Sequence, residues 1–166
     1  MFRDGEKMKG YFITADIFNL SLGSELGKTK GTWDAINACM FLHQFSLEEQ
    51  IYISKNILKL LKNEKGSIII GAQSASTLPG EEGISAPFLK EGVVKKVWRH
   101  SKESFREMWE GIAVSEGENL RVWVEYRARY GLGEVDEAQE RTEGHAFFDE
   151  STERVQKRMF FLVERV

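Results

Sequence analysis

Cysteine and proline are almost missing from this chain. Cys39 is the single cysteine in 166 residues. It excludes an internal disulfide and suits a reducing compartment, the cytoplasm. The two prolines, Pro79 and Pro87, bracket a stretch rich in Gly, Ser and Glu. No run of roughly 18 apolar residues occurs, which excludes a transmembrane helix. The opening Met1-Phe2-Arg3-Asp4-Gly5-Glu6 holds no apolar signal region. Neither sign of charge dominates: 23 Lys and Arg against 26 Asp and Glu leave a net charge of -3. No basic field therefore points to nucleic acid. His43, His100 and His145 have no metal-ligand spacing, so no metal is expected. Neither a phosphate loop nor a Gly-x-Ser-x-Gly elbow is present. Gly131-Leu132-Gly133 is no substitute, because Glu134, Asp136, Glu137 and Glu140 follow it and would repel an anion.

What is present fits one domain over residues 1–166. Hydrophobic residues make up 42% and charged residues 30%, as in ordinary globular proteins, and the length suffices to bury a core. Residues 1–9 are polar and read as loose. Tyr11-Phe12-Ile13-Thr14-Ala15 reads as a strand, and the glycine-bearing stretch 18–31 as a loop. Trp33 to Met40 is apolar apart from Asp34 and Asn37, as suits a strand covered on both faces. Cys39 within it reads as buried and inert. Ser46-Leu47-Glu48-Glu49 is a capping box that starts a helix running to Lys62, with Leu47, Ile51, Ile57, Leu58 and Leu61 on one face. Ser67 to Gly71 is a β-branched strand, which completes a βαβ unit with two parallel strands.

Residues 74–97 read as an irregular excursion and a possible lid. Ser101 to Ser115 predicts a second helix, with Phe105, Met108, Trp109, Ile112 and Ala113 forming an apolar stripe. Leu120 to Tyr130 alternates: Leu120, Val122, Val124 and Tyr126 face one way. Residues 131–157 are polar and read as partly helical. Arg158 to Val166 is a final docked strand.

Three segments in order, Phe12-Ile13-Thr14-Ala15-Asp16-Ile17, Trp33-Asp34-Ala35-Ile36-Asn37-Ala38 and Phe41-Leu42-His43-Gln44-Phe45, resemble class I S-adenosylmethionine methyltransferases. The closest likeness is to fungal small-molecule methyltransferases of meroterpenoid and related pathways. Gly66 to Gln73, Trp98 to Phe105 and the ending Phe161 to Arg165 are similar too, so the resemblance spans residues 10 to 166. It implies a Rossmann-like α/β sheet, mostly parallel with an antiparallel C-terminal strand. The family's sheet runs 3-2-1-4-5-7-6, of which this chain would supply strands 3 to 7. The Gly-rich motif that holds the cofactor's methionine end, and the first two strands, have no counterpart after Met1, so the expected fold is N-terminally truncated. An apolar edge left open at Trp33 to Met40 would be a pairing liability. It is expected to be covered by the Tyr11 strand, by a second copy in a homodimer, or by a partner chain.

The resemblance assigns roles by position. Asp16 and Ile17 would hold adenine of S-adenosylmethionine, the carboxylate accepting from the exocyclic amine. The bland reading of Asp16 is a solvated loop carboxylate. Asn37 and Ala38 end the next strand, where open α/β sheets place ligands; Asn37 could equally make a structural hydrogen bond. His43 would act as base near neutral pH, with Gln44 beside it orienting a small-molecule substrate; the alternative is a helix-entry residue without chemistry. Gln73 and Arg99 would complete the substrate site, Arg99 by bidentate pairing with a carboxylate. Their alternatives are a loop hydrogen bond and an ion pair. The function implied is O-methylation of a small organic acid or hydroxyl in secondary metabolism. The rival is a pseudoenzyme that binds a small molecule, catalyses a cofactor-independent rearrangement, or serves as a partner subunit.

Overall fold

The computed structural model describes residue 10 and residues 12–85, 89–127 and 154–166. The expected loose N-terminus, Tyr11, the end of the Leu120 strand, His145 and most of the polar stretch 131–157 lie outside the described residues.

Local signals decide the helices. Ser46 caps α1 (Leu47–Leu60): its hydroxyl accepts from Glu49 N–H at 3.3 Å, and the Glu49 carboxylate accepts from Ser46 N–H at 2.9 Å. Both end donors of the first turn are thereby satisfied. Helix α2 (Lys102–Glu116) repeats the device with Ser101 and Ser104. It stops at Gly117, whose φ of 70° is the left-handed cap that glycine adopts without a Cβ penalty.

Among the described residues four strands form the main sheet: β1 (Ala35–Asn37), β2 (Ile68–Ser76), β5 (Leu120–Arg127) and β6 (Gln156–Arg165), in the order β1-β2-β6-β5. Strand β1 runs parallel to β2, with Ile36 opposite Ile69, so the expected β-α-β unit is present. The other two pairings, β2 with β6 and β6 with β5, are antiparallel. Strands β1, β2 and β5 therefore run in one direction and only the C-terminal strand opposes them, as expected of a mostly parallel sheet with an antiparallel C-terminal strand. The reason is topological: the last strand inserts between β2 and β5 and opposes both.

Both helices lie on one face of this sheet. Ile53, Ile57 and Leu58 of α1 and Phe105, Met108, Trp109 and Ile112 of α2 share a core cluster with Ile69, Phe161, Val163 and Val124. Of the expected α2 stripe, all but Ala113 belong to this core, and the inward set Leu120, Val122, Val124 and Tyr126 lies in it or at its rim. The opposite face carries a cross-strand row, Ile70–Leu162–Trp123, in which Ile70 is 37% and Trp123 44% exposed.

Three sequence expectations are corrected. Residues 12–16 form no strand, and Phe12 is 98% exposed: an apolar run makes a strand only when an edge receives it. The Trp33–Met40 run is a strand only at Ala35–Asn37, and it is not covered on both faces; Ala35, Asn37 and the Cys39 expected to be buried are exposed, because β1 is the outermost strand among the described residues. Residues 74–97 are not an irregular excursion. Strand β2 continues to Ser76, and β3 (Gly80–Ile84) pairs antiparallel with β4 (Lys95–Arg99) as a separate two-stranded sheet.

One close approach fixes the packing. A Cβ added at Gly71 would lie 2.4 Å from Phe161 Cζ and 3.0 Å from the Ala38 carbonyl oxygen. Gly71→Ala is expected to destabilise by about 1–3 kcal/mol through overpacking. Gly111→Ala, in exposed mid-helix with open space around it, is expected to stabilise by about 0.5–1 kcal/mol. Urea unfolding of the two variants measures both; equal signs would contradict the packing described.

Candidate functional site at the carboxyl edge of the sheet

The parallel pair β1 and β2 ends on one edge, and the turns that leave β1 gather there. Asn37 Oδ1 accepts from Cys39 N–H at 3.0 Å, which folds the chain back on itself. Ala38 N–H reaches Ile70 O at 2.8 Å and Met40 N–H reaches Ala72 O at 2.6 Å, so the turn stays stitched to β2. Met40 has φ of 52°, the one non-glycine in the left-handed region among the described residues. Such backbone costs free energy and persists where surrounding bonds hold it. Gln44 Nε2 donates to Met40 O at 2.6 Å, which closes the turn, and leaves Gln44 exposed as part of that scaffold.

Asp16 sits in a second turn beside this one. Its Oδ1 accepts from Phe18 N–H at 2.9 Å, and its carbonyl accepts from Asn19 N–H at 3.0 Å. The carboxylate is exposed, so its second oxygen is open to a donor. The turn is pinned to α1: Asn56 Nδ2 donates to Ile17 O at 2.9 Å, Tyr52 Oη to Phe18 O at 3.3 Å, and Phe18 stacks on Tyr52 with centroids 5.8 Å apart. Ile17 is half-buried against the core. An aromatic chain, Phe18–Phe45 at 5.9 Å and Phe45–Phe41 at 5.3 Å, joins the Asp16 turn to the segment that follows Asn37. Asn37, Ala38 and Gln44 thus share the turn that leaves β1, and the ring chain links the turn of Asp16 and Ile17 to the segment that follows it.

His43 and Arg99 meet behind that edge. His43 lies in a 3-10 turn, Leu42–Gln44, and is buried. Arg99 Nη1 donates to the His43 carbonyl oxygen. Arg99 is 7% exposed, and its Nε lies 2.7 Å from Glu82 Oε2 on the paired strand β3. An internal carboxylate therefore already occupies the guanidinium that the sequence assigned to a substrate. Burial, with Arg99 and Arg158 nearby, lowers the His43 pKa to about 4. At neutral pH the ring is uncharged, and its Nδ1 has no partner. A base with that pKa orients a donor better than it removes a proton.

Gln73 is separate from this group. It shares the helix-side face of β2 with Ile69 and Ala75, is fully buried, and neither side-chain amide atom is partnered. Sequence reasoning passed over His100, the residue just before the Ser101 cap. It is 2% exposed; its Nδ1 lies 2.9 Å from Ser104 Oγ, and burial lowers its pKa to about 4. Its carbonyl accepts from Ser76 N–H at 2.9 Å, and Tyr126 Oη bridges Ser76 O and Lys102 N–H. The signal was its position at a helix entry beside an arginine. A cleft of about 160 Å³ lined by Leu58, Asn63, Glu118 and Arg165 lies at the opposite end of β2, away from these residues. Among the described residues no cluster of His, Cys, Asp and Glu could hold a metal ion, and no helix is long and apolar enough to cross a membrane.

Two expectations follow. The folded-state pKa of both histidines lies below the ordinary imidazole value of about 6.5, at about 4, so the unfolded chain binds more protons between those values. Stability is then complete above about pH 6.5 and falls as pH drops toward 4. Ring resonances of His43 and His100 followed by NMR should titrate near pH 4; titration near 6.5 would contradict their burial. Glu82→Gln leaves the Arg99 guanidinium without its anion and is expected to cost about 2 kcal/mol in denaturant unfolding; no change would mean that the pair is solvated.

No family model matches this chain. Curated relatives do. The O-methyltransferase phiE of a fungal species (strain ATCC 74256) is 28% identical over 124 residues, which cover 75% of this chain and 39% of that protein. The O-methyltransferase atr3 of Stereocaulon alpinum is 28% identical over 134 residues, covering 81% of this chain and 37% of its own length. The methyltransferase adrK of Penicillium roqueforti is 25% identical over 125 residues, 74% of this chain and 41% of its own. The chain thus spans about two fifths of the length of the relatives it matches. Across about three quarters or more of its own length it is similar to fungal O-methyltransferases, the family whose motifs its sequence resembles.

Proposed function

We propose that this chain carries the carboxyl-edge half of an S-adenosylmethionine-dependent O-methyltransferase acting on a small organic acid or hydroxyl in fungal secondary metabolism. The observation that supports the reading best is the strand order. β1, β2, β6 and β5 follow the order of the fourth, fifth, seventh and sixth strands of the family's sheet, with the last strand of the chain inserted antiparallel between its neighbours. The similarity to fungal O-methyltransferases agrees with it.

The residues at the edge fit the adenine end of the cofactor. The Asp16 carboxylate keeps an oxygen free to accept from an amine, Ile17 offers an apolar flank, and Asn37 keeps its Nδ2 donor while its Oδ1 holds the turn. When bound, the cofactor supplies an electrophilic methyl group on a sulfonium. Little covalent help is then needed from the protein, because positioning carries most of the rate. His43, uncharged at neutral pH and buried behind the edge, has the role of orienting a hydroxyl or carboxyl group rather than of removing its proton. Arg99 acts through His43, whose carbonyl it holds, and Glu82 keeps its charge compensated. Ala38 and Gln44 hold the backbone of the same turn in place.

Calorimetric titration of the chain with S-adenosylmethionine and with its demethylated product tests this. Micromolar binding that drops at least tenfold in Asp16→Ala is the expected result. No binding at millimolar cofactor would reject an autonomous methyltransferase site in this chain and favour a relic that does not methylate.

A further inference from the structure

Gln50 is fully buried in α1, and its side chain bonds two segments outside the helix. Its Nε2 donates to Phe45 O at 2.9 Å and to Trp98 O of β4 at 3.0 Å. Trp98 N–H donates to the same Phe45 carbonyl at 2.9 Å. In an antiparallel ladder a hydrogen-bonded pair exchanges two such bonds, so Phe45 N–H would return one to Trp98 O. That N–H is committed elsewhere: it closes the 3-10 turn on Leu42 O at 3.1 Å. The next one, Ser46 N–H, belongs to the Glu49 carboxylate of the capping box. The Gln50 amide supplies the donor that the backbone lacks at this place.

Other side chains of β4 converge on the same segment. Arg99 Nη1 donates to the His43 carbonyl, and Lys95 Nζ stands 4.9 Å from the centroid of the Phe45 ring. The Phe45 ring in turn meets Phe18 of the Asp16 turn. Tyr52 and Asn56, on the same helix as Gln50, hold that turn by its carbonyls. Helix α1 thus grips both sides of the edge, and Gln50 is its grip on the hairpin side.

We infer that Gln50 is a positioning residue: it locks the β3–β4 hairpin onto the segment that carries His43 and keeps that side chain buried behind the ligand edge. The lock stands on the bonds above; its use, holding His43 in place to orient an acceptor group, rests on the methyltransferase reading of this edge.

Native-state hydrogen exchange of the unsubstituted chain at increasing urea tests the lock. Trp98 N–H reports the hairpin and Phe45 N–H the turn. Both are expected to exchange through one shared opening, with the same rate and urea dependence. Gln50→Met keeps the length of the side chain and removes the donor. It is expected to speed exchange at Trp98 about tenfold or more while amides of the β2–β6 ladder keep their protection. In the same variant the His43 ring is expected to titrate at higher pH than in the unsubstituted chain, because opening rehydrates it and moves the Arg99 charge away. Separate openings in the unsubstituted chain would overturn the inference, and that measurement decides alone if the variant does not fold. In a folded variant, unchanged exchange at Trp98 or an unchanged His43 titration would overturn it. So would equal loosening of the β2–β6 ladder, since Gln50 would then be an ordinary core residue. Cofactor binding enters neither measurement: its failure would reject the methyltransferase reading and leave the lock to be decided by exchange and titration.

Discussion

The ring of Phe161 lying over Gly71 is the contact on which the other parts depend. It lies across the β2–β6 pair and, with the Ala38 carbonyl on the other side, leaves no room for a side chain at residue 71. Phe105 of α2 packs on the same ring with centroids 4.8 Å apart, and Trp109 follows Phe105 at 6.4 Å. A single buried aromatic therefore ties two strands and a helix. Its burial is worth about 2–3 kcal/mol as area removed from water, before packing is counted. The turn after β1, which carries Asn37 and Ala38, is held to β2 on either side of Gly71 by backbone bonds to Ile70 and Ala72.

Polar ties then fix what the core leaves loose. Arg99 joins β4 to β3 through Glu82 and to the 3-10 turn through the His43 carbonyl. Arg154 reaches the carbonyls of Pro79 and Glu81, on either side of the Gly80 that stands opposite Arg99, and holds the same end of the hairpin. At the opposite end of the sheet Arg165, also buried, contacts Asn63, Glu118 and the Leu58 carbonyl. Each arginine spreads its donors over several acceptors, which is how a buried guanidinium offsets its desolvation. The consequence for function is direct: the cation that a substrate carboxylate would seek at Arg99 is compensated from within.

Much of this was legible in the sequence where local chemistry decides. The Ser46–Glu49 box, the Phe105 to Ile112 stripe and the alternation of Leu120 to Tyr126 each became the element they indicated, because capping and periodicity act within a few residues. Tertiary pairing was less legible. Phe12 to Ala15 has strand composition and no strand, since no edge receives it among the described residues. Gly80–Ile84 and Lys95–Arg99 have weak apolar alternation and yet pair, because buried Arg99 and its Glu82 supply what composition does not. The placement of Asp16 and Asn37 in turns and of His43 just before α1 was legible from the sequence order, while the isolation of Gln73 and the burial of His100 depend on which face of the sheet the helices cover.

The central claim is that the Asp16 and Asn37 turns form one ligand edge. Amide chemical shifts of the isotopically labelled chain, titrated with the demethylated cofactor product, test it most directly. Shifts concentrated at Ile17, Phe18, Asn37 and Cys39 are the result expected from this geometry. Shifts confined to Asn63, Glu118 and Arg165, around the cleft at the far end of the sheet, would contradict it.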